Sequence, residues 1–323
     1  MGQAWNRGSG IENQEYTGIS MIILGTRGSA LALTQTEYIK ARILKAFPDS
    51  EIVVRIIKTS ADKDTTTSIR SGSAVGVFVK ELEQALLAGE IDIAVHSMKD
   101  VPTIVASGLE IVAIPEREDA RDAFLSNAAK SLSELPAGAV VGTGSVRRQA
   151  QLFAIRPDLK VRDIRGNIDT RLKKLSDGAV DALILACAGL NRLGYQNRIS
   201  APLDFEQMLP APGQGALAVE MRAEDARARA VEAALNHSPT AIAVLAERSF
   251  LYRMGGGCNV PVAVHASLKD NDIRIEGLAA SPDGKRIIRE SIEQARESAH
   301  EAAISLAERI LAMGGSEILA DMP

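Results

Sequence analysis

A cysteine that follows three glycines has the most chemically suggestive setting in the chain. Cys258 lies in the stretch YRMGGGCNVPV, and the chain has one other cysteine, Cys187. Glycine removes side-chain bulk and frees the backbone to turn, so a large molecule could approach the sulfur. Two interpretations stay open at this point: a tight turn that happens to contain a cysteine, or the attachment point of a covalent group.

Arginines recur where predicted strands lead into predicted helices. In open α/β sheets these turns lie beyond the carboxyl ends of the strands, and the helix N-termini there favour anions. Because the arginine fork binds carboxylates bidentately, the set predicts a ligand with several carboxylates or phosphates. Any one of these arginines could simply be a solvated surface residue, but that explanation fits the whole set poorly. The set consists of Arg27 with Ser29, Ser145 with Arg147 and Arg148, then Arg165, Arg171 and Arg192.

A second cluster, AVHSMKDVP, brings Ser97, Lys99 and Asp100 to a loop that Pro102 closes. A carboxylate beside a lysine is most often a surface ion pair. In a cleft lined by arginines the acid has another use, because it can stabilise a cationic intermediate or transfer protons. Asp100 is therefore the candidate catalytic acid.

Composition and motifs argue against several classes of protein. The net charge of −4 disfavours a general nucleic-acid or membrane-surface binder. No Walker motif, G-x-G-x-x-G fingerprint or G-x-S-x-G elbow is present, so a nucleotide site and a serine hydrolase lack support. We expect no metal site, because metal-ligand spacing is missing among the four histidines His96, His237, His265 and His300.

The two cysteines cannot form a disulfide framework, and Cys187 falls in DALILACAGL, which reads as a buried strand. This usage indicates a reducing compartment. No apolar run reaches the roughly 18–20 residues that cross a bilayer. The first twenty residues lack the apolar segment of a signal peptide and are predicted to be a disordered extension. We therefore expect a cytoplasmic protein.

The order of elements predicts an α/β fold. From Met21 to about Leu209, short β-rich runs alternate with amphipathic helices, which implies mostly parallel sheets covered by helices. The pattern starts again near Arg121, so two lobes are expected. The Pro/Gly-rich segment LPAPGQGALAVEM is predicted to return the chain to the first lobe. A third unit, starting near Ser238, reads as αβββα with an antiparallel sheet.

Eight motifs, in order from about Met21 to the C-terminus, resemble the porphobilinogen deaminase (hydroxymethylbilane synthase) family: LGTRGSALALTQT, FVKELEQALLAGEIDIAVHSMKDVP, EREDARDAFLS, VGTGSVRRQAQL, IRGNIDTRLKKL, ALILACAGLNRLG, LPAPGQGALAVE and GGGCNVPVAVHA. The resemblance implies two α/β lobes like those of periplasmic binding proteins, plus a small α+β domain with a three-stranded antiparallel sheet. The boundaries then expected are 1–20 for the extension, 21–115 with 216–234 for domain 1, 116–215 for domain 2, and 235–323 for domain 3.

The resemblance also implies a covalent dipyrromethane cofactor, held through a thioether to Cys258. The reaction it implies is transfer chemistry: four porphobilinogen molecules condense with loss of ammonia, and hydroxymethylbilane is released for tetrapyrrole and haem biosynthesis. The expected partners are porphobilinogen and, for handover of the product, uroporphyrinogen-III synthase. Neither nucleic acid nor membrane is expected, and the family suggests a monomer.

Site residues carry over from the resemblance one by one. Asp100 matches the catalytic aspartate, which assists loss of the amino group and stabilises cationic azafulvene and pyrrole intermediates. Ser97 and Asn167 match weaker polar positions. The residues expected to bind substrate are Arg27, Ser29 and Arg165. The residues expected to bind the cofactor are Cys258, Lys99, Ser145, Arg147, Arg148, Arg171 and Arg192.

One departure from the family concerns the loop thought to cover the active site. Val75, in GSAVG, stands where the family commonly has a lysine, so closure or chain elongation could differ. Two alternatives are therefore kept: a degenerate relative that loads the cofactor but elongates poorly, and a two-lobed carboxylate-binding protein without catalysis. The second alternative has no need for Asp100 or for Cys258. A cysteine hydrolase lacks a matched His/Asn context.

Overall fold

The computed structural model describes residues 21–58, 79–255 and 260–321. The predicted disordered extension, Val75 and Cys258 lie outside these residues. The strands of the two lobes are β1 Met21–Thr26, β2 Glu51–Ile56, β3 Ile93–Ser97, β4 Leu109–Ala113, β5 Asp122–Ser126, β6 Val140–Gly142, β7 Lys160–Arg162, β8 Ala182–Ala186, β9 Ala201–Leu203 and β10 Leu217–Arg222. Those of the third unit are β11 Val262–Lys269, β12 Asp272–Ala280 and β13 Ile287–Ala295.

The helices alternate with these strands as the sequence predicts. Those of the two lobes are α1 Ala30–Ala46, α2 Lys80–Leu87, α3 Val146–Ile155, α4 Ile168–Ser176, α5 Cys187–Arg192 and α6 Ala228–Leu235. Those of the third unit are α7 Ser238–Arg253, α8 Ala299–Ile310 and α9 Ser316–Ala320. No helix in the described ranges is long and apolar enough to cross a membrane.

The first lobe is a five-stranded sheet in the order β2-β1-β3-β10-β4. β1 runs parallel to β2 and β3, whereas β10 is antiparallel to both of its neighbours. The return of the chain through LPAPGQGALAVEM is confirmed, because β10 comes from that segment. The sheet is mixed rather than mostly parallel. α1 and α6 cover one face and α2 the other, around a core that includes Leu24, Ile39, Ile93, Val219, Leu82 and Leu86.

The second lobe repeats this arrangement in the order β7-β6-β8-β5-β9. β6 is parallel to β7 and β8, and β5 is antiparallel to β8 and β9. Cys187 is buried, as expected, but it opens α5 rather than lying within the strand, which ends at Ala186.

The third unit is an antiparallel sheet, β11-β12-β13, packed against α7 and α8. Phe250, Ile275, Leu306 and Ile310 lie in its core. The expected fold class, two α/β lobes plus an α+β unit with three antiparallel strands, is confirmed. The exact domain boundaries remain predictions.

Two segments connect the lobes: residues 114–121, between β4 and β5, and residues 204–216, between β9 and β10. Two glycines in the second connection have positive φ and no room for a side chain. A Cβ on Gly213 (φ 71°) would lie 2.6 Å from Met98 Cγ, and one on Gly215 (φ 89°) would lie 2.4 Å from the Glu118 carbonyl oxygen. The connection can therefore pack directly against the turn that carries Asp100 and against the other connection.

Glu247 of α7 joins the third unit to both connections. Its fully buried carboxylate accepts from Arg117 Nη1 (2.7 Å) and Nη2 (3.0 Å). It also accepts from the backbone N–H groups of Gly213 (2.7 Å) and Ala266 (2.8 Å). One side chain thus holds together both inter-lobe segments and strand β11.

Arg248, the next residue of α7, bonds to the backbone around the Asp100 turn. Its Nη1 donates to the Val101 carbonyl (3.1 Å), and its Nη2 donates to those of Pro102 (2.6 Å) and Thr103 (3.3 Å). The third unit also contacts the second connection, where Arg289 donates to the carbonyls of Phe205 and Glu206, both at 2.8 Å, and the second lobe, where Gln149 of α3 donates to the Pro282 carbonyl at 3.4 Å. The third unit therefore contacts both lobes.

An ion-pair network closes the amino end of the first sheet. Asp92 and Asp225 both accept from Arg222 and Arg227, with the closest contact, Arg227 Nη2 to Asp92 Oδ1, at 2.6 Å. The hydrogen bond from Arg227 lowers the pKa of Asp225 to about 2. A carboxyl whose pKa falls on folding adds stability above its unfolded pKa, and that stability is lost as the pH drops toward the folded value.

We therefore expect Asp225→Asn to lower the free energy of unfolding at pH 7 by about 1–2 kcal/mol. The difference from the unsubstituted chain should shrink between about pH 4 and pH 2, because the wild-type carboxyl becomes protonated there. Thermal unfolding across this pH range measures it. Asp177→Asn, which removes an exposed i,i+4 pair with Lys173, is the control and should change stability by less than about 0.5 kcal/mol. A constant difference at all pH values would contradict the assignment.

Candidate functional site

The turn that carries Asp100 is fixed on its buried side. Strand β3 ends at Ser97, and a 3₁₀ turn covers Met98–Asp100. Met98 is 1% exposed, and its N–H donates to the Ala216 carbonyl at 3.0 Å. Because β3 ends at Ser97, Lys99 and Asp100 lie just beyond the carboxyl edge of the sheet. The backbone contacts of Arg248 hold the chain on the far side of the turn.

A cavity of about 80 Å³ lies at this edge. It brings together Arg27, Ser29 and Asp100, which the sequence assigns to substrate and catalysis, with Ser97, a weaker candidate. The local sequence explains the arrangement of Ser29: its hydroxyl caps α1 by accepting from the Ala32 N–H (3.3 Å). The cavity therefore combines a guanidinium, a helix N-terminus and a carboxylate.

Two further side chains line the cavity that sequence reasoning did not select. Gln35 donates to the Ser97 hydroxyl at 2.9 Å. His96 is buried, and its Nε2 lies 3.0 Å from Oε2 of Glu220 on the adjacent strand β10. Burial, followed by the charge of Glu220, raises the pKa of nearby Glu83. In the sequence, His96 and Glu220 are single polar residues in apolar strands, 124 residues apart, and nothing else indicates that they pair.

A second cluster lies at the start of α3 in the second lobe. Ser145 caps this helix by accepting from the Arg148 N–H (3.4 Å). Arg147 and Arg148 occupy its first turn and are 4% and 6% exposed. Both guanidiniums contact Asp122, which is fully buried and is not among the site residues predicted from the sequence. Although burial opposes ionisation, the two arginines lower the pKa of Asp122 to about 2.

The ammonium group of Lys99 interacts with charged residues of both clusters. Burial lowers the pKa of its ammonium group to about 8, and the charges of Arg147 and Arg148 act in the same direction. The carboxylates of Asp100 and Asp122 oppose this decrease. A residue of the first lobe thus senses charges in the second lobe, as expected if one ligand site spans both.

Three more predicted arginines lie in the second lobe. Arg171 donates to the Gly166 carbonyl (2.8 Å) and Arg192 to the Gly215 carbonyl (2.7 Å). Burial lowers the pKa of both guanidiniums, and Arg148 adds to the decrease at Arg171. Arg165 is exposed and pairs with Asp163 at 3.0 Å. The charges of Arg148 and Arg165 both act on Arg171, so Arg171 lies near each of them.

The charges of this second cluster fit a polycarboxylate ligand. Six cations, Lys99, Arg147, Arg148, Arg165, Arg171 and Arg192, interact with four carboxylates, Asp100, Asp122, Asp163 and Glu118, which leaves an excess of positive charge. Arg147 Nε is buried and has no hydrogen-bond partner. Unsatisfied donors and uncompensated cations are costly in a buried site unless an anion completes them. A dipyrromethane, with acetate and propionate groups on each ring, supplies such anions, so the residues present fit the cofactor.

No group of three or more His, Cys, Asp or Glu side chains within the described ranges could hold a metal ion.

Asn167, a weaker candidate, caps α4 by accepting from the Thr170 N–H at 2.8 Å. Cys258 follows α7, which ends at Arg253, and precedes Val260, which packs against the core of the third unit.

Fold and site together define a two-lobed α/β protein with an acid and a cluster of buried cations, a combination that suits a polycarboxylate ligand. The family model described as "Porphobilinogen deaminase, dipyromethane cofactor binding domain" matches residues 22–230, and "Porphobilinogen deaminase, C-terminal domain" matches residues 241–312. The chain belongs to the porphobilinogen deaminase family.

Curated relatives agree over almost the whole chain. The porphobilinogen deaminase of Thermus thermophilus is 50% identical over 303 residues, which cover 94% of this chain and 99% of the relative. That of Geobacter sulfurreducens is 46% identical over 304 residues, which cover 94% and 95%. Among solved structures, a putative methionine-binding lipoprotein from Bacillus subtilis matches with a TM-score of 0.41 and 14% identity, covering 68% of this chain and 92% of that one.

Proposed function

We propose that this protein is a porphobilinogen deaminase, a transferase that condenses four porphobilinogen molecules, each with loss of ammonia, and releases the chain from the cofactor by hydrolysis as hydroxymethylbilane. Family membership over both matched regions supports this function. The observation that carries it at the level of residues is the cavity shared by Asp100, Arg27 and Ser29. An acid beside a guanidinium and a helix N-terminus suits a substrate with two carboxylates and a reacting cationic centre.

In this proposal Arg27, Ser29 and Arg165 bind the acetate and propionate groups of porphobilinogen. The guanidinium fork fixes a carboxylate in two directions, so the reacting carbon is held in one place. Arg27 and Ser29 act from the first lobe and Arg165 from the second. The proposal therefore assigns contacts with the substrate to residues of both lobes.

Asp100 is the proposed catalytic residue. Each condensation breaks a carbon–nitrogen bond, releases ammonia and forms one carbon–carbon bond, so positive charge develops on a pyrrole ring. A fixed carboxylate stabilises that charge and can hold the departing proton. The Arg248 contacts and the buried Met98 keep the Asp100 turn in place, so little reorganisation is needed when charge develops.

The cofactor-binding residues are proposed as one set: Cys258 as the thioether anchor, with Lys99, Ser145, Arg147, Arg148, Arg171 and Arg192. When bound, dipyrromethane supplies the terminal pyrrole to which the first substrate unit is joined. The cations hold its carboxylates, and the orphaned Nε of Arg147 supplies a donor for one of them.

We extend the proposal to a monomer that works in the cytoplasm and passes its product to uroporphyrinogen-III synthase. The family resemblance supports these points. The division into domains at residues 21–115 with 216–234, 116–215 and 235–323 belongs to the same proposal. The two connecting segments and the three sheets support it.

The function is tested by the intact mass of the recombinant protein and by peptide mapping around Cys258. We expect a mass excess of two linked pyrrole units on that cysteine, and production of hydroxymethylbilane from porphobilinogen. Cys258→Ser should carry no excess and should be inactive, whereas Cys187→Ser, the matched control, should load normally. An unmodified mass that persists after incubation with porphobilinogen would contradict the proposal and favour a carboxylate-binding protein.

A further inference from the structure

Asp122 is a buried carboxylate that contacts two arginines. It is the first residue of β5 and fully buried. Its Oδ1 accepts from Arg148 Nε (3.0 Å) and Nη2 (2.7 Å), and its Oδ2 lies 2.8 Å from Arg147 Nη2. One carboxylate therefore bridges two guanidiniums that are adjacent in sequence. Nothing in the proposed roles of the site residues uses it.

The remaining donors of the two arginines are also tied to the protein. Arg148 Nη1 donates to the Ile184 carbonyl at 3.0 Å, and Arg147 Nη1 donates to the Leu209 carbonyl. Arg147 Nε is buried without a hydrogen-bond partner, and Asp122 Oδ2 meets Arg147 Nη2 as an ion pair without accepting a hydrogen bond. The two guanidinium planes are thus fixed before any ligand arrives, and one donor is left over.

The carboxylate is also bound to the connections between the lobes. Gln214 Nε2 donates to Asp122 Oδ1 at 2.8 Å and to the Ala120 carbonyl at 2.8 Å. Ala120 belongs to one inter-lobe connection and Gln214 to the other. Through this amide, the position of Asp122 is set relative to the first lobe, where Lys99 and Asp100 lie.

Physical reasoning explains why a carboxylate is needed at this place. Arg147 and Arg148 are like charges in the first turn of α3, where the helix dipole adds positive potential, and both are removed from water. Without a counterion they would repel each other and turn outward. A single carboxylate between them compensates one charge, fixes both forks and leaves a net positive site for a ligand.

We propose that Asp122 is a positioning residue for the cofactor: it holds the Arg147–Arg148 pair in the orientation that receives carboxylates of dipyrromethane. The inference rests on the proposed function, because it takes the two arginines to be cofactor ligands. Asp122 itself carries a negative charge and does not contact the ligand. It acts only through the arginines.

The test is Asp122→Asn in the full chain, prepared without porphobilinogen and then incubated with it. Covalent loading is followed by intact mass over time. Misplacing a ligand-binding group by about 1 Å can cost about a hundredfold, so we expect loading to slow by about tenfold to a hundredfold. Circular dichroism and thermal unfolding report separately whether the variant is folded.

The direction of the effect distinguishes positioning from simple electrostatics. Removing a negative charge beside an anion site should favour an anionic ligand if only net charge mattered. Slower loading therefore supports a positioning role, and loading at the wild-type rate or faster overturns it. The matched control is Asp158→Asn, which removes a carboxylate that binds Arg156 Nε and Nη2 beyond the other end of α3, and it should load normally.

If Asp122→Asn fails to fold, Asp122→Glu decides the question, because it keeps the charge and moves the carboxylate by one methylene. Slow loading by a folded Asp122→Glu protein supports the inference, and loading at the wild-type rate overturns it. The unsubstituted chain tests the proposed function in the same assay. If it loads and the Asp122 variants load equally, only the inference fails; if it never loads, the proposed function fails and the inference with it.

Discussion

Asp100→Asn is expected to lower kcat for porphobilinogen consumption by about a thousandfold, with little change in the unfolding temperature. The substitution keeps the shape of the side chain and removes the negative charge that faces the developing cation. Because Asp100 lies on a turn held by Met98 and Arg248, the amide should occupy the same place. KM should change little, since Arg27 and Ser29 carry substrate binding.

The pH of this measurement matters because of Lys99. The Asp100 carboxylate raises the pKa of Lys99, which burial otherwise lowers, and the net value is about 8. In Asp100→Asn that support is lost, so the pKa of Lys99 falls further and its charge is lost at a lower pH. We therefore expect the activity of the variant, relative to wild type, to be lower at pH 8 than at pH 7. At pH 7 more of Lys99 keeps its charge, so the difference reports mainly the loss of the Asp100 carboxylate.

Only protein with a confirmed loaded mass should be compared, so that turnover is separated from cofactor assembly. Asp49→Asn, an exposed carboxylate outside the cavity, is the control and should keep wild-type kcat. If loaded Asp100→Asn retained a tenth or more of the wild-type kcat, the assignment of Asp100 would fail.

Glu247→Gln should produce the largest loss of stability, about 3–5 kcal/mol. The carboxylate accepts from both ends of the Arg117 fork and from two backbone N–H groups, and it is fully buried. A glutamine has one acceptor oxygen. In either orientation of the amide, its NH₂ group therefore faces the donors of Arg117 and of the backbone N–H groups and cannot accept from them. Arg117 is then left as a poorly compensated buried cation.

Calorimetry measures this effect, and a decrease of about 5–10 °C in Tm is expected. Because Glu247 joins the third unit to both connections, we also expect the unfolding transition to broaden or split as the units uncouple. Glu308→Gln removes an exposed pair with Arg253 on the same unit and serves as the control, with an expected change of less than about 1 kcal/mol. An unchanged single transition for Glu247→Gln would show that the network does not couple the units.

Local patterns made much of the fold predictable. The strand-to-helix turns at Ser29 and Ser145 carry N-cap residues, and both helices begin at the next residue. The Pro/Gly segment before β10 correctly indicated a return to the first lobe. The antiparallel direction of β10 and β5 was not predicted, because alternation of apolar residues carries no information about strand direction.

The candidate site was predictable where a residue contacts the ligand, and less so where it supports another residue. Arg147 and Arg148 were selected because arginines at helix starts suit anions. Asp122 was missed because its partners come 25 or more residues later and its motif, EREDARDAFLS, contains many other charges. His96 and Glu220 meet only when β10 inserts beside β3. Such pairs follow from topology, which short sequence windows do not encode.

The insertion of β10 between β3 and β4 also affects the order in which the protein can fold during synthesis. β4 ends at residue 113, but its sheet neighbour β10 ends at residue 222, so the ribosome must add 109 further residues before the first sheet can close. At usual elongation rates this delay is about 5–20 s. During that time β3 is an open strand edge, and the second lobe, contiguous from β5 to β9, can fold first. The first lobe of this chain thus depends on later-made residues, and nascent chains that stop before residue 217 should be targets for chaperones and proteases.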